Sequence, residues 1–167
     1  MAQNSVFQQY PQPFAGFQYQ YSNIQINLQG RYFPWVSSVS YSDTNDVAEA
    51  RGVSPYPMGT TLGEYKATGS LEIHKLYNKD FLDILASLSP DGKSIYDVIF
   101  SINVQYQLRP ANGQVAAPVV TDVLQGCRIT GQGQDMSAGN AVLTVKHSLY
   151  IALIQWSGYL PVAGLAQ

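Results

Sequence analysis

The run from Val98 to Arg109 alternates without a fault. Val98, Phe100, Ile102, Val104, Tyr106 and Leu108 fall on one side. Ile99, Ser101, Asn103, Gln105, Gln107 and Arg109 fall on the other, and all but Ile99 are polar. Successive side chains of an extended chain point to opposite sides, so this is a strand with one dry and one wet face. At roughly 3.3 Å per residue the run reaches about 40 Å, where an average strand has only about five or six residues. A chain built on such strands is a β-protein.

Other segments repeat the pattern. Ile24, Ile26 and Leu28 alternate with Gln25, Asn27 and Gln29. After a break at Gly30–Pro34, Trp35–Tyr41 reads as a second strand. In Lys66–His74, the residues Ala67, Gly69, Leu71 and Ile73 face in. Val119–Ile129 is a less regular strand, and Gly126 within it marks a bulge or a close backbone contact. The last strand is Ala141–Leu153, with His147 on its apolar face.

One helix stands out. Asn78 is read as its N-cap, with Asp80 and Asp83 in the positive first turn. Phe81, Ile84, Leu85 and Leu88 form the apolar stripe, and Pro90 stops it. Asn112-Gly113, between Pro110 and Pro118, reads as a hairpin turn. About six or seven strands joined by hairpin-length gaps imply an antiparallel β-sandwich or barrel with one flanking helix.

The 167 residues form one expected domain: an arm over 1–22, a β-core over 23–153 and an apolar tail over 154–167. The arm interleaves Phe7, Tyr10, Phe14, Phe17, Tyr19 and Tyr21 with glutamines. Exposed aromatics forgo burial, so the arm is expected to order against a neighbouring subunit, the alternative being a disordered tail. The tail carries Trp156, Tyr159 and Leu160 and no charge, and is expected to be covered. Between the two lies Ser42–Tyr65, with no sustained period. A gap this long in a compact domain is usually functional or mobile. It holds Asp43, Asp46, Glu49, Arg51 and Glu64, for a local charge of −3, together with Pro55 and Tyr56. It reads as an extended loop that reaches another subunit, the alternative being a solvated, variable loop.

Only 12% of residues are charged, against about 25% in ordinary soluble domains. Such a surface suits a chain covered by copies of itself, although a Tyr-, Gln- and Ser-rich coat also hydrates well. The net charge is −2 and the nine basic residues are scattered, which excludes a nucleic-acid-gripping patch. The lone Cys127 excludes an internal disulfide and reads as a small buried residue. His74 and His147 are about seventy residues apart and no metal-ligand spacing surrounds them. His147 reads as a core histidine. No nucleophile motif surrounds Cys127, Gly131-Gln132-Gly133 lacks a dinucleotide-loop context, and no acid pair stands out. The chain is read as a non-enzyme without cofactor or metal. The first 30 residues carry no charge, so no basic leader precedes an apolar run. The expectation is synthesis in a cytoplasm, without membrane insertion.

Tyr41-Ser42-Asp43, the acidic segment, Gly63-Glu64-Tyr65-Lys66-Ala67-Thr68-Gly69-Ser70-Leu71-Glu72-Ile73 and the Phe81-Leu82 helix resemble tail tube proteins of tailed bacteriophages. Asp122–Ile129 and the Gly-rich turn after it look similar too, so the resemblance covers roughly Asn23 to Ile151. It implies hexameric rings stacked into a hollow tube within a virion tail, with double-stranded DNA as non-specific passing cargo. It implies partners among other tail proteins: sheath, baseplate hub, tape measure or terminator. Ser42–Tyr65 becomes the stacking loop and both termini become bridges between rings. A polar strand face lines the lumen, from Val98–Arg109 or from Ala141–Leu153. A lining without a ring of Arg and Lys would let DNA slide, because phosphate is held by basic side chains. The alternatives are the tube of a contractile injection or secretion system and, in another class, a carbohydrate-binding β-sandwich that stacks sugars on its twelve tyrosines and two tryptophans.

Overall fold

A computed structural model describes residues 24–51, 57–106, 119–134, 136 and 142–161. The strands are β1 (Ile24–Leu28), β2 (Arg31–Tyr32), β3 (Val36–Arg51), β4 (Pro57–His74), β5 (Phe100–Tyr106), β6 (Val120–Gly133), β7 (Thr144–Ile151) and β8 (Leu153–Gln155). The helix α1 (Lys75–Leu88) lies between β4 and β5. All pairings are antiparallel, in the order β2-β1-β5-β6-β7-β4-β3, with β8 also paired to β6. The expected mainly-β fold with one flanking helix is what forms. Among the described residues the strands number eight; the short β2 and β8 carry too few residues to show a period in the sequence.

The sheet turns a corner within β6. Residues Val120–Cys127 pair with β5, and Arg128–Gly133 pair with β7. Gly126 sits at the corner with φ +65°, and a Cβ there would lie 2.7 Å from the Cβ of Ala152. Only glycine meets both conditions without strain. The expected bulge is real: the register slips between Phe100 and Ile102 on the facing strand. The corner folds two half-sheets over one core. Ile26, Leu28, Ile102, Val104, Leu124 and Ile154 come from one half, and Leu71, Ile73, Ile129, Leu149 and Ile151 from the other.

The long alternating run is shorter as a strand than as a pattern. β5 begins at Phe100; Val98 is buried but Ile99 is exposed. Gln107–Arg109 and the expected hairpin around Asn112-Gly113 lie outside the described residues.

The helix starts earlier than its sequence suggests. It opens at Lys75, His74 makes no side-chain cap, and the first turn holds no acid. Asn78 is therefore no N-cap. It is buried, and its Oδ1 lies 2.7 Å from Nε2 of His147. Asp83 instead pairs with Lys79 at 2.7 Å on the exposed side. Phe81 and Leu85 are fully buried, while Leu88 is exposed, so the stripe is narrower than expected. Phe81 meets Phe33, Phe100 and His147 at ring separations of 5.9, 6.5 and 5.1 Å. The helix thus plugs one open end of the folded sheet.

Candidate assembly site

The described residues of the stretch Ser42–Tyr65 are strand and not loop. β3 and β4 pair through it, from Asp43↔Ala67 to Arg51↔Pro57. Its alternation is invisible in the sequence because its outer part has no dry face: Asp46 to Ala50 are all exposed. The hairpin leaves the body at a bulge, where the register slips between Asn45 and Val47. Gly63 stands opposite, and a Cβ there would lie 2.0 Å from the carbonyl oxygen of Asp46. Beyond the bulge, six residues at about 3.3 Å each project about 20 Å as a two-stranded arm.

The named residues of this stretch separate. Asp46 and Glu49 are on the arm and exposed, and Arg51 is in its last strand pair. Glu64 pairs with Lys66 at 3.2 Å on the outer face. Asp43 is at the arm's base and points inward. Pro55 and Tyr56 lie outside the described residues, as do Phe7, Tyr10, Phe14, Phe17, Tyr19 and Tyr21.

Asp43 and Asp122 anchor the C-terminal turn to the arm's base. Oδ2 of Asp43 accepts from the Tyr65 hydroxyl and Oδ1 from Nε1–H of Trp156, both at 3.1 Å. The Tyr65 oxygen in turn accepts from the Ile154 N–H at 3.1 Å. Asp122 accepts from the Tyr41 hydroxyl at 2.7 Å and from the Ser157 N–H at 2.7 Å, and Tyr106 bonds the Tyr41 oxygen. Burial raises the Tyr41 hydroxyl far above its ordinary range, with its bonds to Tyr106 and Asp122 adding to the effect, so it stays a donor. Tyr65 is raised as well, chiefly by burial. Tyr41 also lies against Trp156, with ring centres 5.1 Å apart.

Trp156 and Tyr159 close a tight turn by mutual backbone bonds of 3.0 and 2.8 Å, with Ser157 and Gly158 both at positive φ. Of the tail residues, Trp156 therefore packs within its own chain. Tyr159 is exposed, and Leu160 is half-covered. The sequence did not mark Tyr41, Tyr65, Tyr106 or Asp122 as a group. Their only local signal is a polar residue at an inward strand position.

The half-sheet made of β3, β4, β7 and the second half of β6 has an outer face of small hydroxyls. Ser40, Ser70 and Ser148 stand in one row, and Ser42, Thr68, Tyr150 and Arg128 in the next. The Ser40 and Ser70 hydroxyls are 2.8 Å apart. The face carries Glu64 and Glu72 against Lys66, Lys146 and Arg128, and Glu72 stands opposite Lys146 in the register. This half-sheet ends in two open edges: among the described residues, no strand pairs with the outer side of β3 or with the far side of Arg128–Gly133. The outer face of β5 differs, carrying Asn103 and Gln105 beside Asn27 and Gln25 of β1.

The cysteine and the strand histidine are both buried. Cys127 is fully buried, which pushes its thiol up to about 12. His147 is fully buried and its pKa is pushed down to about 4 by burial. The described residues hold no group of three or more potential metal ligands and no helix long and apolar enough to cross a membrane.

No family model and no curated protein matches the sequence. Solved structures do match the fold. The tube-terminating cap of the anti-feeding prophage superposes with a TM-score of 0.62 at 15% identity, covering 93% of this chain and 99% of that one. The sheath–tube complex of the extracellular contractile injection system PVC gives 0.58 at 16%, covering 91% and 97%. The sheath/tube terminator of the same system gives 0.56 at 13%, covering 81% and 94%. This chain shares its fold with tube and tube-terminator proteins of contractile injection systems.

Proposed function

We propose that residues 1–167 act as one structural subunit, and that copies close side by side into six-membered rings that stack into the hollow tube of a phage tail. The observation that carries this reading is the pair of open edges on the half-sheet of β3, β4, β7 and β6. An unpaired edge invites another strand. Pairing β3 of one copy with the second half of β6 in the next satisfies both edges and closes a ring only when every copy does the same.

The hydroxyl-rich outer face then lines the lumen, with β7 at its centre. Its charges of both signs are interspersed, so it offers passing double-stranded DNA no continuous basic track. The arm, the N-terminal segment and the C-terminal segment bridge rings, with Asp46, Glu49 and Tyr159 as exposed contact residues. Sheath, baseplate hub, tape measure or terminator proteins are the expected partners at the tube's wall and ends. The protein works in the virion tail after synthesis in the host cytoplasm, and does no chemistry.

The fold match to a tube-terminating cap favours a second reading, in which the chain forms the tube or the terminal ring of a contractile injection system. A terminal ring stops at one layer, whereas a tube protein polymerises. Negative-stain electron microscopy of the purified chain across a concentration series tests both. Six-fold rings or hollow tubes are expected, and a monodisperse monomer at every concentration overturns the assembly reading.

A further inference from the structure

A groove crosses β6 where the sheet turns its corner. Tyr96 and Ile99, from the connection between α1 and β5, line it on the β5 side, and Tyr150 lines it on the β7 side. Gly126 and Ala152 add no side chain larger than a methyl group, and the groove holds about 470 Å³. Its walls are apolar yet wet: Ile99 is 56% exposed, and Tyr96 and Tyr150 are 51% exposed each. Exposed apolar groups gathered at one place mark an interaction surface. Arg128, Ile129 and Thr130 also line the groove, and the same three residues begin the open edge of β6. A segment lying in the groove therefore covers the start of that edge.

The C-terminal turn aims the chain at this groove. β8 runs away from Ala152 along Val123–Gln125 of β6. The antiparallel pair Trp156↔Tyr159 then reverses the direction. Counted back along that pair, Val162 falls level with Leu153, and Ala163 falls level with Ala152, which lines the groove. Residues 162–167 carry Val162, Ala163, Leu165 and Ala166 and no charge. Six extended residues span about 20 Å. Small and aliphatic side chains suit an apolar groove with a Gly and an Ala in its lining, and the backbone carbonyls of an extended segment are acceptors for the Arg128 guanidinium.

We infer that residues 162–167 lie in this groove of their own chain as a latch over the start of the β6 edge, and that β3 of the next copy displaces them when a ring closes. The release step rests on the ring reading; the seat in the groove does not. An edge covered until its partner arrives is protected from chance pairing. The displaced segment is then free to bridge to the next layer, so closing a ring precedes stacking it. An edge open in only a fraction of the molecules pairs with an apparent affinity lowered by that fraction.

Cross-linking tests the seat on the full chain. Ile99→Cys and Leu165→Cys are placed together; the native Cys127 is buried and does not compete. A short bismaleimide added to the dilute protein is expected to join the two thiols within one chain, as read by peptide mass spectrometry. The linked chain is expected to form no rings. Two thiols that are both modified and never joined overturn the latch while leaving the ring reading intact. A link found only between two chains does the same, and so do rings that close normally from linked chains.

Removing the segment supplies a second arm of the test. A chain without residues 162–167 is expected to form rings at about one tenth of the wild-type concentration, measured by analytical ultracentrifugation. Leu165→Asp is expected to act in the same direction with the chain length unchanged. Rings that need as much protein as the wild type, or more, overturn the latch. A chain that forms no rings with the segment or without it overturns the ring reading and the release step together, and the cross-link alone then decides the seat.

Discussion

At the helix end, aromatic rings from three parts of the chain meet without a charge among them: Phe33 after β2, Phe81 on α1 and Phe100 at the start of β5. Their one polar neighbour, His147, is held neutral and bonded to Asn78. At the arm end the sheet is closed by two carboxylates, three tyrosines and a tryptophan, in a mesh of hydrogen bonds. One end excludes water and gains rigidity from packing. The other is part-buried and gains direction from bonds that point. The proposed assembly calls for both, a body that does not deform and an outgrowth aimed at its neighbour. The difference locates rigidity at the helix end and orientation at the arm end.

The largest expected effect is on packing. Phe81→Ala removes the ring that joins Phe33, Phe100 and His147, and should cost about 3–5 kcal/mol by urea denaturation. A loss below about 1 kcal/mol would mean that the helix is a loose cover and that the contrast between the ends fails.

Acid should strike the helix end next. The buried His147 stays neutral down to about pH 4, while in the unfolded chain it takes up a proton near its ordinary value of 6.5. Between these values the unfolded state binds more protons, so stability falls as pH drops through the window. It is fully kept above 6.5, and the loss is at most about 3 kcal/mol. Carboxylates also titrate in this range. The decisive quantity is therefore the difference between wild type and His147→Gln in urea titrations at pH 7 and pH 4. Equal slopes for the two would remove the histidine from the account.

A smaller cost is expected at the arm end. In Asp122→Asn, one amide must replace a carboxylate that accepts from both Tyr41 and the Ser157 N–H. One of the two donors loses its acceptor, for about 1–3 kcal/mol. The C-terminal turn should loosen with it, which hydrogen exchange at Ser157 and Ile154 measures. Unchanged exchange would mean that the turn is held by the Trp156 ring against Tyr41 and not by the carboxylates.

What the sequence made legible follows from where a dry face exists. β1, the inner part of β4, β5 and β7 each bury alternate residues, so a period of two survives in the letters. Gly126 was readable as a bulge or a close backbone contact, because few other roles call for glycine inside a strand; that the sheet turns a corner there was not. The arm was not readable as strand, since a hairpin with water on both sides needs no alternation. Asn78 looked like a cap because its residue type favours caps, but its partner, His147, is 69 positions away in the chain. The carboxylate mesh was hidden for the same reason. Tyr41 to Asp122, Tyr65 to Ile154 and Asp43 to Trp156 are contacts that only the corner in β6 brings about.

The smallest effect on stability should accompany a large effect on assembly. Gly63 faces the bulge where the arm leaves the body, and Gly63→Ala would set a methyl group 2.0 Å from the Asp46 carbonyl oxygen. That oxygen belongs to backbone, so the bulge must move. The arm residues Asp46–Ala50 and Gly59–Thr61 are exposed, and the body should lose less than about 1 kcal/mol, as substitutions away from packed features do. An arm that leaves at a new angle misses the next layer, because its tip swings by several ångström over a length of about 20 Å. The expected outcome is single rings by electron microscopy from a chain with near-native urea stability. Normal tubes from Gly63→Ala would show that the arm is aimed by its contacts in the neighbouring layer and not by its own bulge. Orientation would then belong to the interface, and the two ends of the molecule would differ in chemistry but not in task.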